Sequence, residues 1–314
     1  MRVLYHYAAG PALERRLAGL AAAGIEVSTC SEQDDDRLFG LLPTTDVLWH
    51  CLRPVDASVL DAAPHLRLIQ KIGVGVNTID LDASQARGVA VCNLPGSNSR
   101  AVAEHTLALM LAVLRRIVTF DGLLKAGKGW DRPAEIEDGL GEIAGRTVGL
   151  IGYGAVPQLL APILKAMGAE ICYANRRQKP GAIGQHLSLD ALLERADIVS
   201  VHLPLLPETR QLLNAEKLQR MRRGAILVNT ARGGLVDSAA LIDSLRAGHL
   251  GGAAIDVFEP EPIAADDPLL TLPNVVLAPH VAWLTQETLA RSVDAAVDNC
   301  HRLAAGRPLL HRVA

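Results

Sequence analysis

Short runs of four to six apolar residues recur along the chain, separated by stretches in which apolar positions return at helical spacing. In the first third, Val3–Tyr7, Ile25–Thr29, Asp46–Cys51, Leu68–Lys71 and Val89–Cys92 read as strands. Pro11–Ala23, rich in Ala, Leu and Arg, reads as a helix between the first two. This alternation implies parallel pairing with right-handed crossovers. Ser99–Phe120 is the longest helical pattern of the first half, with Leu107, Leu111 and Leu114 on one side. A loop rich in Gly, Lys and Asp is expected from Asp121 to Gly145.

A second series of strands and helices starts at Thr147 and runs to about Pro279. Its strands are Val148–Ile151, Glu170–Tyr173, Ile198–His202, Ala225–Asn229, Ala253–Val257 and Val275–Ala278. Six strands suffice for a complete dinucleotide-binding unit. Pro162 falls inside the helix after the first of them and is expected to kink it or interrupt its hydrogen bonding. A last helix, roughly Thr285–Ala305, has no strand partner nearby and is expected to pack back on the first domain. The expected division is therefore residues 1–96 with 285–314, and residues 97–284. No internal repeat or low-complexity segment interrupts this pattern.

Composition narrows the choices. The 314 residues are 49% hydrophobic but only 3% aromatic, which suits small aliphatic cores of helices on parallel sheets. With 31 basic and 34 acidic residues and no basic stripe, nucleic-acid binding has no electrostatic footprint. Five scattered cysteines (Cys30, Cys51, Cys92, Cys172, Cys300) form no CxxC pair, so neither a zinc site nor a disulfide framework is expected. The first residues lack a signal-peptide core, and no run of 18 apolar residues could span a membrane. A soluble, cytoplasmic protein without a bound metal is the expectation.

The chemistry concentrates at strand ends. Gly152-Tyr153-Gly154-Ala155-Val156-Pro157 stands where a strand must turn into a helix. Gly152 would allow the tight turn and Gly154 the close approach of a pyrophosphate to the helix N-terminus. The third glycine of such a loop is replaced by Pro157, which the first helical turn tolerates. About twenty residues beyond Gly154, where an acid would bind the ribose 2′-hydroxyl, the chain has Asn175-Arg176-Arg177 instead. Two arginines there suit a 2′-phosphate; the alternative is a pair of solvated loop charges. NADP(H) is the preferred cofactor, NAD(H) the alternative.

Three further segments end strands: Asn229-Thr230-Ala231-Arg232-Gly233-Gly234, Asp256-Val257-Phe258-Glu259-Pro260-Glu261-Pro262, and Ala278-Pro279-His280-Val281-Ala282-Trp283. A histidine passes protons near neutral pH, a carboxylate beside it fixes its tautomer, and an arginine fork holds a carboxylate. Together with Lys71-Ile72-Gly73-Val74-Gly75-Val76-Asn77, Pro95-Gly96-Ser97-Asn98-Ser99 and Val102-Ala103-Glu104-His105, these segments make the chain resemble the D-isomer-specific 2-hydroxyacid dehydrogenases along essentially its whole length. Within that family it resembles the glyoxylate and hydroxypyruvate reductases.

The resemblance implies an α/β fold of two doubly wound parallel-sheet domains, a Rossmann-type dinucleotide-binding domain inserted in a flavodoxin-like substrate domain. It implies His280 as acid/base, Glu261 rather than Glu259 as its partner, and Arg232 as substrate ligand. Cofactor contacts are implied for Gly152, Tyr153, Gly154, Ala155, Val156, Asn175, Arg176, Arg177, Leu203, Pro204, Thr230, Ala231, Arg232 and Asp256, the last at the nicotinamide carboxamide. Val74, Gly75, Asn98, Arg232, His280 and Trp283 would meet a small 2-oxo or 2-hydroxy acid. A homodimer is implied, with Trp130 a candidate contact. Arg53 is read as a surface arginine before a ligand of a distal anion. Two rival readings stand beside the reductase: an NAD-dependent phosphoglycerate- or phosphonate-type dehydrogenase, and a non-catalytic dinucleotide-sensing regulator.

Overall fold

The computed structural model describes residues 1–128, 130 and 139–314. The chain divides into two compact units, Met1–Asn98 with Thr285–Ala314, and Ser99–Leu284.

In the first unit, β1 (Arg2–His6), β2 (Glu26–Cys30), β3 (Val47–His50), β4 (Leu68–Lys71) and β5 (Ala90–Cys92) form an all-parallel sheet of order β2-β1-β3-β4-β5. This is the flavodoxin-like order. β3 and β4 are buried at every position, polar His50, Gln70 and Lys71 included, as a sheet covered on both faces requires. Leu4, Leu48, Ile69 and Val91 lie in its core. The helix Gln286–Ala304, capped by Thr285 on the Thr288 N–H, belongs to this unit. It is tied to β4 by a buried amide pair, Asn299 Nδ2 donating to Gln70 Oε1 at 2.7 Å. Asn299 also holds both backbone groups of Leu310, so one side chain satisfies a loop that would otherwise bury unpaired groups.

The second unit carries β6 (Thr147–Ile151), β7 (Glu170–Ala174), β8 (Gln185–Leu187), β9 (Ile198–Val201), β10 (Ile226–Asn229), β11 (Gly252–Ile255) and β12 (Val275–Leu277). They form one parallel sheet of order β12-β11-β10-β9-β6-β7-β8, the dinucleotide-binding order with one added edge strand. The expectation of six strands is corrected to seven. β8 is three residues long, with polar Gln185 and His186, and carries no apolar run to mark it.

The long helical pattern is also two helices. Ser99–Leu114 ends before Arg116, whose φ of +50° no helix accommodates, and Ile117–Lys125 follows. The loop expected from Asp121 therefore starts no earlier than Ala126. The helix Ala155–Ala166 runs through Pro162, which lacks an N–H and so leaves one helical carbonyl without its usual donor. Among the described residues no helix is long and apolar enough to cross a membrane.

Candidate active site

The turn after β6 is built around Gly152. Its φ is +92°, and a Cβ there would lie 2.6 Å from the carbonyl oxygen of His202, so only glycine fits. The helix Ala155–Ala166 then starts from Gly154, whose side-chain position is open space and which supplies no capping group. An uncapped helix N-terminus facing open space is the cradle that a pyrophosphate fills, so the residues present fit a dinucleotide. Pro157 is buried in the first turn, where its missing N–H has no intrahelical role. Ala155 and Val156 continue the cradle, while Tyr153 turns inward. Tyr153 is 3% exposed, and its hydroxyl accepts from the Ile183 N–H at 2.8 Å. Beyond β9, Leu203 is half-buried against Gly152 and Pro204 is exposed.

Past the end of β7, Asn175 is half-buried and its Nδ2 donates to the Arg177 carbonyl at 2.8 Å. Arg176 and Arg177 are exposed, and among the described residues neither enters an ion pair. Both cations are thus presented to solvent from a turn that is itself bonded.

Three strand ends meet on the other side of the switch point between β6 and β9. After β10, Asn229 folds the backbone onto itself, donating to the Arg232 carbonyl at 2.9 Å and accepting from the Ala231 N–H at 3.0 Å. Thr230 is buried and shares a 2.8 Å hydroxyl contact with Thr106. Gly233 is packed so tightly on the Phe258 backbone that no side chain fits. Past β11, Glu261 accepts from the Phe258 N–H at 2.8 Å through Oε1 and meets His280 Nδ1 at 2.7 Å through Oε2. His280 has a φ of +54° and its N–H donates to the Asp256 carbonyl at 2.7 Å.

The charges are coupled. Burial pushes the Glu261 carboxyl up, but the His280 hydrogen bond and charge, the Phe258 N–H and Arg232 outweigh it and hold the pKa below its ordinary value. Burial lowers the Arg232 guanidinium, and Glu261 opposes that shift. Arg232 also donates to the Ala231 carbonyl at 2.6 Å. Arginine, glutamate and histidine from three strand ends therefore form one electrostatic group. Glu259 is separate: it is ion-paired with Arg210 at 2.8 Å.

Asp256 follows β11 directly. It is fully buried, and its oxygens accept from the Val281 and Ala282 N–H groups at 2.9 and 3.1 Å. These bonds hold the backbone immediately after His280. His105 Nε2 lies 3.4 Å from Asp256 Oδ1. His105 and Thr106 sit on the helix Ser99–Leu114, and the motif that contains His105 was readable without showing what it touches. Trp283 is 5% exposed.

The first unit carries the remaining residues. Val74 is exposed, its carbonyl accepts from Asn93 Nδ2 at 2.8 Å, and the Gly73 carbonyl accepts from the Leu94 N–H at 2.8 Å. The loop carbonyls are thus turned away, and among the described residues the N–H groups of Val74 and Gly75 donate to no other group. Asn98 is half-buried at the end of the unit. Arg53 is ion-paired with Asp35. Trp130 is 87% exposed, and its neighbours at 129 and 131–138 lie outside the described residues.

Residues 107–282 match the model of the D-isomer specific 2-hydroxyacid dehydrogenase NAD binding domain. The chain belongs to the D-isomer specific 2-hydroxyacid dehydrogenase family. Within this dehydrogenase family, the chain is 42% identical over 280 residues to the D-3-phosphoglycerate dehydrogenase of Mycobacterium tuberculosis, covering 87% of this chain and 52% of that protein. It thus spans about half the length of the phosphoglycerate dehydrogenases it matches. To the glyoxylate reductase of Thermofilum pendens it is 42% identical over 251 residues, covering 78% of this chain and 74% of the other. The crystal structure of the TT0316 protein from Thermus thermophilus superposes over the whole of both chains with a TM-score of 0.87 and 40% identity.

Proposed function

We propose that the chain is an NADP(H)-preferring oxidoreductase of the CH–OH group that reduces a small 2-oxo acid such as glyoxylate or hydroxypyruvate. The 2.7 Å pair of His280 Nδ1 and Glu261 Oε2, electrostatically coupled to Arg232, carries this reading. With Nδ1 committed to the carboxylate, Nε2 is the nitrogen left to exchange a proton with substrate. Protonated His280 gives that proton to the C2 oxygen as negative charge develops there, and Glu261 stabilises the imidazolium. Arg232 clamps the substrate carboxylate and polarises the carbonyl. The nicotinamide cofactor, held by the Gly152–Val156 loop, supplies the hydride.

NADP(H) is favoured by Arg176 and Arg177 standing unpaired where an acid would otherwise meet the ribose. The test is initial-rate oxidation of NADPH and NADH with glyoxylate and with hydroxypyruvate. NADPH is expected to give a kcat/KM higher by about tenfold or more, the effect of one charge-assisted hydrogen bond. A preference for NADH would reduce the arginines to loop charges and leave the chemistry standing. Absence of turnover with both acids would remove them as substrates. The 42% identity to phosphoglycerate dehydrogenases supports a second reading, tested by adding D-3-phosphoglycerate with NAD to the same assay. A non-catalytic regulator would need only the dinucleotide loop, and the complete Arg232, Glu261 and His280 group argues against it.

Glu261 bears on pH. Because its folded-state pKa is depressed, the stability it contributes is present above the ordinary glutamate range and is lost as pH falls through the lowered value. Removing its charge by Glu261→Gln destabilises protonated His280. The alkaline limb of the reductive pH profile is then expected to move to lower pH, and an unchanged limb would show that the pair does not set it. As a homodimer, the protein would cover apolar side chains now exposed, among them Ile117, Val118, Leu124 and Trp130. Its five free, buried thiols suit a reducing compartment such as the cytoplasm.

A further inference from the structure

The edge strand β8 has a consequence for the turn carrying Arg176 and Arg177. Its register sets His186 beside Tyr173 of β7, with ring centroids 5.2 Å apart. From there His186 Nε2 lies 2.9 Å from the carbonyl oxygen of Asn175. A carbonyl only accepts, so Nε2 carries the proton and donates. The far end of the turn is held by Tyr173, whose hydroxyl accepts from the Lys179 N–H at 3.1 Å. The middle is held by Asn175 Nδ2 on the Arg177 carbonyl. Tyr153, 4.6 Å from Tyr173 between centroids, fixes Ile183 on the return path. An aromatic row of Tyr153, Tyr173 and His186 thus runs from the phosphate loop to the edge strand and anchors the turn by its backbone.

Two exposed arginines bind a phosphate well only if the backbone that presents them is ordered beforehand, because otherwise binding must immobilise two flexible side chains and a turn together. We propose that His186 is a positioning residue for recognition of the cofactor's 2′-phosphate, its Nε2 fixing Asn175 so that Arg176 and Arg177 face the phosphate together. This rests on the reading that the two arginines bind that phosphate.

The test titrates the full chain with NADPH and with NADH, following nucleotide fluorescence, so no acid substrate is required. His186→Phe keeps a ring beside Tyr173 and removes only the donor; His186→Gln keeps a donor and removes the ring. His186→Phe is expected to raise Kd for NADPH by about fivefold, the loss of one hydrogen bond, with Kd for NADH changed less than about twofold. His186→Gln is expected to stay close to the parent. Equal weakening of both nucleotides by His186→Phe, or no weakening of either, overturns the proposal, as does loss of NADPH selectivity in His186→Gln equal to that in His186→Phe. The double variant Arg176→Ala with Arg177→Ala separates the two levels. If it weakens both nucleotides alike, the 2′-phosphate reading itself fails. If it weakens NADPH alone while His186→Phe does not, only the role of His186 fails.

Discussion

Substituting His280 is expected to lower kcat for 2-oxo acid reduction by about a hundred- to ten-thousand-fold, the usual contribution of a positioned proton donor. The choice of substituent matters because His280 sits at a φ of +54°. Alanine there would add backbone strain to the loss of chemistry, whereas asparagine tolerates the left-handed region. His280→Asn is therefore the cleaner variant, with a Tm close to the parent and NADPH binding by titration unchanged within about threefold. A Glu261→Gln, His280→Asn double variant should lose little beyond His280→Asn alone, since the carboxylate acts through the imidazole. Retention of most activity by His280→Asn would remove the histidine from the reaction, and a multiplicative double variant would give Glu261 a separate role.

The fold was legible because both sheets are covered on both faces, so buried strands such as Gly252–Ile255 appear as uninterrupted apolar runs bounded by helical spacing. The same rule explains the strand that was missed. β8 lies at the sheet edge, is half-buried and has no apolar run, so its existence follows from pairing with β7 and not from its own residues. The break at Arg116 was hidden likewise: its left-handed backbone conformation leaves no mark in a continuous apolar pattern. In the candidate site, Gly152, Arg232, Glu261 and His280 were readable because each stands just past a strand, where open sheets place ligands. Side-chain direction was not readable. Tyr153 stands between two loop glycines yet points into the core, and Asp256 turns to backbone N–H groups.

Asp256 is where that unread direction has the largest consequence. Its carboxylate is fully buried and accepts from two consecutive N–H groups, those of Val281 and Ala282, directly after His280. An asparagine side chain has one acceptor and one donor, so it can satisfy one of these groups and must present its NH₂ to the other. Alanine leaves both unpaired, at about 1–3 kcal/mol for each buried donor. Asp256→Ala is thus expected to unfold at clearly lower temperature. Asp256→Asn is expected to fold while the His280 turn loses its register, lowering kcat by about ten- to a hundredfold, the effect of misplacing a reacting group by about an ångström. Titration with NADPH distinguishes this from the carboxamide role implied by the family resemblance. If Asp256 only holds the turn, Kd changes little while kcat falls; a Kd raised in proportion to the loss in kcat would return the carboxylate to the cofactor.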